Sequence, residues 1–379
     1  MKVAMISWEY PPQFSGGLGV HCQAIVRELT SIGIEIELYL PVFKQLEFEA
    51  LKNLKFHQLS LSHPIQGDSY IGSDIWDSVM EFRDRLEEGF QPEGIDILHA
   101  HDWMGVFAAT GIAKKYKIPL IWTVHSTEND RAAGKPLNPG IFSIEQEAFS
   151  NVKHTIAVSQ RTKQYLIHSY QADPKRISAI YNGIDVSNFE QLATRDYQNT
   201  DGYILFLGRL TGQKAPDVFL QAAKLVLFER DDVRFLIAGD GDLLHKLRLQ
   251  SRRMKIHNRV EFAGNVLGEK LLECYKNALL FVLPARSEPF GITVLEAMAS
   301  GIPTIISSTT GAGEIVENVY VVEPNQPKEL AMAIIKLLDD PELRKKLGQK
   351  GAKEAQACTW KKVAFETQQL YLKLLSSSE

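Results

Sequence analysis

Two glutamates with seven residues between them, Glu288 and Glu296, stand in the segment Ser287-Glu288-Pro289-Phe290-Gly291-Ile292-Thr293-Val294-Leu295-Glu296-Ala297-Met298-Ala299-Ser300-Gly301-Ile302-Pro303. Pro289 holds the residue before it in extended geometry, which puts the Glu288 carboxylate on a loop after the apolar run Leu280–Leu283. Gly291 lets backbone approach a ligand as a helix begins, and the first N–H groups of that helix have no partners within it. Glu296 falls about one and a half turns into the helix, roughly 7 Å along its axis. Two carboxylates thus flank a helix N-terminus at the carboxyl edge of a strand, where α/β proteins bind ligands. The ordinary alternative is a loop end and a solvated helix residue.

A second strand-to-helix segment, Gly208-Arg209-Leu210-Thr211-Gly212-Gln213-Lys214-Ala215-Pro216-Asp217, places Arg209 at a strand's end and Lys214 before a helix. Two cations and a positive helix end suit an anion such as a diphosphate, although an Arg and a Lys on a turn are more often simply solvated. Gly16-Gly17-Leu18-Gly19 lies between a strand at Lys2–Ser7 and a helix at Val20–Leu29, again where amides can approach a phosphate. A dinucleotide fingerprint fails there, because Cys22 occupies the third glycine position and eight residues, Trp8 to Ser15, separate strand from glycines.

Histidines form a further group, in His99-Ala100-His101-Asp102-Trp103 and His125-Ser126-Thr127-Glu128. Their spacing matches no i, i+4 ligand pair of a helix, so no metal is assigned to them. Lining a polar substrate cleft is the favoured reading over hydrogen-bonded linkers. Asp240-Gly241-Asp242, the one D-x-D triplet, precedes a helix and reads as a turn and cap rather than a cation site.

The elements that must carry these residues alternate. Strands are expected at Lys2–Ser7, Ile34–Leu40, Ile95–His99, Pro119–Val124, His154–Val158, Ile177–Tyr181, Tyr203–Leu207, Arg234–Ala238, Val260–Phe262, Leu280–Leu283 and Thr304–Ser307. Most are continuous apolar runs, the mark of parallel strands covered on both faces, with helical stretches between them. That rhythm is doubly wound α/β. Eleven strands in 379 residues ask for two domains. The break follows Asn182-Gly183-Ile184-Asp185, before a polar, unpatterned stretch to Asp201. The expected organisation is 1–187 and 188–358, two Rossmann-like domains facing one cleft, followed by 359–379.

Composition narrows the function. The net charge is −4 with 23% charged and 45% hydrophobic residues, and neither half carries the basic surface that nucleic acid requires. Three scattered cysteines make neither a disulfide framework nor a thiolate zinc site and suit a reduced, cytoplasmic compartment. The N-terminus turns polar at Trp8-Glu9 before a secretory apolar region forms, and no apolar run approaches the ~20 residues of a membrane span.

Together these segments resemble the retaining glycosyltransferases of the GT-B fold, specifically glycosyltransferase family 4, with a flavour of glycogen and starch synthases. The likeness covers nearly the whole chain. It rests on Glu288 to Glu296 with Gly301-Ile302-Pro303, on Gly208-Arg209 with Lys214, and on Gly16-Gly17-Leu18-Gly19. His-Ala-His-Asp-Trp at 99–103, Val158-Ser159, Asn182-Gly183-Ile184-Asp185, Gly264-Asn265 and Thr359-Trp360 fall in the family's order. The resemblance implies that a C-terminal helix crosses back onto the N-terminal domain. It also implies catalytic roles for Arg209, Lys214, Glu288 and His125, with Arg209 and Lys214 on the donor diphosphate and His125 beside the transferring carbon. The amides of Phe290, Gly291 and Ile292 would meet the donor, Glu296 the ribose, Asn265 and Val266 the base, and Gly16 and Gly17 the diphosphate. On the acceptor side it implies His101, Asp102, Glu128 and Arg131.

Three departures stand out. Phe14-Ser15 replaces the lysine that precedes the paired glycines in glycogen and starch synthases, which argues against glycogen synthase itself. Ala215 replaces a glycine after the clamp lysine, and Gly311-Ala312-Gly313-Glu314 replaces a double glycine. The reading is a metal-independent retaining hexosyltransferase needing no cofactor. UDP-glucose is the expected donor and an oligosaccharide or lipid-linked acceptor in polysaccharide biosynthesis the expected partner, as in bacterial and cyanobacterial envelope enzymes. Rivals are a nucleotide-sugar epimerase of similar architecture and a non-catalytic nucleotide-sugar sensor. The cluster Arg248, Arg252, Arg253 and Lys255 reads first as a solvated helix end, with a weak peripheral contact at the inner membrane face as the alternative.

Overall fold

A computed structural model describes residues 1–13, 16–62, 74–199 and 201–376. Phe14 and Ser15, the departure noted before the paired glycines, lie outside the described residues. The chain forms two compact units. Met1–Asn129, Lys135–Gly183 and Trp360–Glu379 make the first, and Asp130–Gly134 with Ile184–Thr359 makes the second.

The first unit is built on seven parallel strands, β1 (Lys2–Ile6), β2 (Glu35–Val42), β3 (Leu54–Ser60), β4 (Ile97–His101), β5 (Leu120–Val124), β6 (His154–Ala157) and β7 (Ile177–Ala179), in the order β3-β2-β1-β4-β5-β6-β7. The second carries β8 (Tyr203–Leu207), β9 (Phe235–Ala238), β10 (Val260–Gly264), β11 (Ala278–Leu283), β12 (Thr304–Ser307) and β13 (Tyr320–Val322), in the order β10-β9-β8-β11-β12-β13. Winding reverses between β1 and β4 and again between β8 and β11. In an open parallel sheet that reversal opens a crevice at the strands' carboxyl ends.

Two strands, β3 and β13, escape the sequence reading. Each lies at a sheet edge, where one flank has no neighbour and the doubly buried apolar run is not needed. Leu54–Ser60 is only partly buried, and Tyr320–Val322 spans three residues. Strand β4 also runs two residues past the expected end at His99, so both His99 and His101 lie inside the sheet.

In the second unit, Phe206, Phe219 and Phe235 anchor a core between the sheet and helices Pro216–Glu229 and Pro327–Asp339. The described part of the stretch expected to be unpatterned, 188–199, is sewn onto this unit. Tyr197 donates its hydroxyl to Gly301 O at 2.9 Å, and the buried Arg344 guanidinium reaches Tyr197 O at 2.6 Å. In the first unit, helix Trp360–Ser376 packs on helix Gly17–Ser31, and the Tyr371 hydroxyl lies 2.5 Å from His99 Nδ1. No helix among the described residues is long and apolar enough to cross a membrane.

Candidate functional site

Both segments singled out in the second unit leave the sheet on either side of its reversal. The turn after β8 carries Arg209 and Lys214, and the loop after β11 carries Glu288 to Gly291. Strand order therefore brings Lys214 and Glu288 together across 74 residues, and Lys214 Nζ forms an ion pair with Glu288 Oε2. The lysine remains 21% exposed at its side chain while the carboxylate is 6% exposed, so solvent reaches the pair from the lysine side.

Backbone hydrogen bonds hold the Glu288 loop against the loop after β12. Glu288 N–H donates to Thr309 O at 3.3 Å, Gly311 N–H to Glu288 O at 2.9 Å and Ala312 N–H to Phe290 O at 2.7 Å. The segment Gly311-Ala312-Gly313-Glu314, which stands where the resemblance implies a double glycine, thus forms a short helical turn that braces the glutamate. Gly291 caps helix Ile292–Ala299 with φ +97°, and a Cβ there would lie 3.2 Å from Glu288 Cγ and 3.3 Å from Thr310 Cγ2. Both the left-handed backbone and the close packing require glycine. Ala215 caps helix Pro216–Glu229 at φ +55°, a conformation that glycine holds with less strain, with its methyl fully buried. That burial accounts for an alanine at a glycine position.

Arg286, which the sequence reading passed over, staples the two loops. Its N–H donates to Gln213 O and its Nη1 to Gly212 O, both at 2.8 Å. The guanidinium also grips Asp217 through both oxygens at 2.9 and 2.7 Å. Burial pushes the Asp217 carboxyl up, but the Arg286 hydrogen bonds and charge outweigh it and hold it below its ordinary value.

Glu296 projects from helix Ile292–Ala299, and Tyr275 donates its hydroxyl to Glu296 Oε2 at 2.6 Å. Burial raises the Glu296 carboxyl above its ordinary value, with the tyrosine hydrogen bond opposing it. A desolvated, oriented carboxylate of this kind is suited to accept hydroxyl hydrogen bonds. Asn265 and Val266 follow the edge strand β10, with β9 between it and β8, so they share the sheet's carboxyl edge without joining the Lys214–Glu288 cluster.

At Asp240-Gly241-Asp242 the expected turn is present, with Gly241 N–H donating to Asp240 Oδ1 at 2.8 Å, but the expected cap is not. Helix Leu244–Arg253 starts behind Leu243 with no side-chain cap. Arg248, Arg252, Arg253 and Lys255 lie exposed along and just past that helix, where cations complement the dipole of its C-terminus.

In the first unit, Gly16 caps helix Gly17–Ser31 without a side chain of its own, and Glu9 supplies one. Glu9 Oε2 accepts from Gly16 N–H at 3.0 Å and Gly19 N–H at 3.1 Å. A carboxylate of the chain therefore occupies two of the amides that the glycine cluster was expected to offer a phosphate, while a Cβ on Gly17 would meet nothing within 4 Å. Glu9→Ala should lower stability by about 1–2 kcal/mol, the scale of losing a helix cap. An unchanged urea midpoint would remove Glu9 from that role.

Four histidines meet above the reversal of this sheet. His99 Nε2 lies 2.7 Å from Thr123 Oγ1, His101 Nδ1 lies 3.1 Å from His125 Nε2, and His21 Nδ1 lies 2.8 Å from Asn182 Oδ1. Burial, reinforced by neighbouring histidines, lowers His99 and His125 to about 3 and places His21 and His101 far below their ordinary value. All four rings are neutral at pH 7, so His125 can exchange hydrogen bonds but brings no positive charge. His101 and Asp102, expected to face an acceptor, are instead buried at 0% and 2% exposure. Asp102 Oδ1 accepts the N–H groups of His125 at 2.8 Å and Ser126 at 3.1 Å, so this carboxylate positions the His125 loop from beneath. Glu128 is likewise turned inward, its Oε1 accepting Asn138 N–H at 2.8 Å. Arg131 is partly buried and groups with the second unit.

Comparison with known proteins follows the same division. The family model described as Glycosyltransferase Family 4 matches residues 15–188, and that described as Glycosyl transferases group 1 matches residues 189–354. An uncharacterized glycosyltransferase of Methanocaldococcus jannaschii is 30% identical over 98% of both chains. Among solved structures, the sucrose-phosphate synthase of Thermosynechococcus elongatus superposes with a TM-score of 0.84 at 20% identity, over 99% of both chains. Anabaena HepE, crystallised with UDP and glucose, superposes with a TM-score of 0.75 at 17% identity, over 98% of this chain and 99% of its own.

Proposed function

This chain belongs to the family 4 glycosyltransferases of the GT-B fold, and from that membership we propose that it is a retaining, metal-independent hexosyltransferase moving glucose from UDP-glucose to an oligosaccharide or lipid-linked acceptor. The observation that carries the reading is the pairing of Lys214 with Glu288 at the point where the second sheet reverses. A lysine held at a helix start, with Arg209 on the same turn, supplies fixed positive charge for a diphosphate leaving group. Such preorganised charge does most of its work as the glycosidic bond breaks. On donor binding Lys214 exchanges the Glu288 carboxylate for phosphate oxygens, and Glu288 turns to the sugar hydroxyls. The C1–oxygen bond then breaks with its electron pair going to the diphosphate. The acceptor oxygen bonds to C1 from the same face, and its proton passes to the departing phosphate oxygen. Configuration is kept.

UDP-glucose is favoured because HepE, a structural neighbour, was crystallised with UDP and glucose. Glu296, oriented by Tyr275, fits the ribose hydroxyls. The proposed setting is polysaccharide biosynthesis in the cytoplasm, with at most a peripheral contact at the inner membrane face through the exposed basic residues near Arg252.

A donor screen tests this. UDP-glucose should raise the melting temperature more than other nucleotide sugars, equally in excess chelator, and product NMR should show an α-anomeric coupling. Loss of binding under chelation would return Asp240-Gly241-Asp242 to contention. A β-linked product would overturn the mechanism, and an α-linked sugar other than glucose would overturn only the donor. Conversion of the donor with no acceptor present would indicate an epimerase, and binding without turnover across acceptors a sensor.

A further inference from the structure

We propose that His21, His101 and His125 form a binding site for one divalent transition-metal ion of the zinc class. One ring nitrogen from each lies within 4.8 Å of the others. A tetrahedral zinc-type ion with metal–nitrogen bonds of about 2.0–2.1 Å spaces its ligand nitrogens roughly 3.3 Å apart. His101 Nδ1 and His125 Nε2, at 3.1 Å, already hold that spacing, and the third nitrogen needs to close by at most about 1.5 Å. The three rings come from helix Gly17–Ser31, the end of β4 and the residue after β5, so a packed sheet and helix hold them rather than a loose loop.

The surroundings resemble those of a metal site. With its Nδ1–H donated to Asn182 Oδ1, His21 keeps its lone pair on Nε2, the outer-shell arrangement that commonly orients a ligating histidine. His101 Nε2 is buried without a partner, so the proton shared in the His101–His125 contact can move there; the one hydrogen bond given up is that contact itself, which the ion's bonds to the two nitrogens replace. With the other proton on His125 Nδ1, both facing nitrogens present lone pairs. The change is tautomeric and releases no net proton. Three imidazoles without a carboxylate or thiolate favour Zn²⁺, Cu²⁺, Ni²⁺ or Co²⁺ over Mg²⁺ and Ca²⁺. His125 is only partly buried, which leaves an approach and a fourth position for water.

Donor binding itself is proposed to need no metal. Its consequence for transfer rests on the proposed function. If His125 acts at the transferring carbon, an ion on its Nε2 withdraws it, and zinc inhibits in a way that a chelator reverses.

Metal-free full-length protein titrated with CoCl₂ should develop the visible absorption bands of tetrahedral cobalt, saturating at one equivalent and displaced by Zn²⁺. His21→Ala should lose the bands, and Asn182→Ala should weaken cobalt binding by about 10–100-fold, the usual effect of removing an outer-shell partner. Circular dichroism checks that each variant folds, and His125→Asn, at the most exposed of the three positions, is the second ligand variant. Absence of the bands in the wild type, or bands unchanged in His21→Ala and His125→Asn, would overturn the site. The cobalt spectrum does not depend on transfer, so a tetrahedral site in a protein inactive with every donor would sustain this inference while defeating the proposed function.

Discussion

Lys214→Ala is expected to reduce sugar transfer by about 10²–10³, the cost of losing one preorganised charge-stabilising group, with Arg209→Ala close behind. The sequence alone predicts little change in stability for either, since both sit on a turn. The structure revises that for Lys214. Its removal leaves the largely buried Glu288 carboxylate without its cation, at a cost of about 1–3 kcal/mol. Glu288→Gln separates the two effects. It preserves shape and keeps a hydrogen-bond acceptor for Lys214, so UDP binding and the melting temperature should hold while transfer is lost. Steady-state turnover, calorimetric UDP titration and thermal melting of the three variants check this together. Near-normal turnover in both Lys214→Ala and Arg209→Ala would end the assignment of the clamp.

Arg195→Ala should give a large loss of stability, about 3 kcal/mol, because its partly buried guanidinium donates to several carbonyls at once. Nη1 reaches Tyr275 O at 3.1 Å and Ser300 O at 3.3 Å, while Nη2 reaches Tyr275 O at 3.2 Å, Lys276 O at 2.8 Å and Ala278 O at 2.6 Å. These groups belong to the ends of helices Glu269–Lys276 and Ile292–Ala299 and to the start of β11. A cation there answers both helix dipoles and carbonyls that have no partner within their helices. For a unit of this size the loss corresponds to a fall in melting temperature of roughly 6–12 °C. Arg195→Lys should recover less than half of it, since one ammonium cannot span four residues' carbonyls. Scanning calorimetry showing a fall of under about 2 °C would mean that water replaces the guanidinium without penalty. Tyr275 and Glu296 ride on the same two helices, so Arg195→Ala should also weaken nucleotide binding.

The sequence by itself determined whatever is written in neighbouring residues. Tyr203–Leu207 and Thr304–Ser307 match the expected strands to the residue, because a strand covered on both faces is built around a continuous apolar run. Gly291 and Pro289 mark the Glu288 loop because backbone angles are local properties, and the order of motifs along the chain identified the family. Where these pieces meet was decided by the tertiary structure. Lys214 finds Glu288 only because the sheet reverses between β8 and β11, and no local pattern states the strand order. The same holds for His21, His101 and His125, which reach one another across the reversal between β1 and β4, and for Arg195 on its distant carbonyls. Glu9, a few residues before the glycines it caps, was equally silent, because a lone glutamate in a loop looks solvated until the fold turns it inward. Periodicity records which residues avoid water, since that preference acts on each residue separately. A hydrogen bond or ion pair between distant segments depends on both partners arriving at one place, and only the folded chain brings them there.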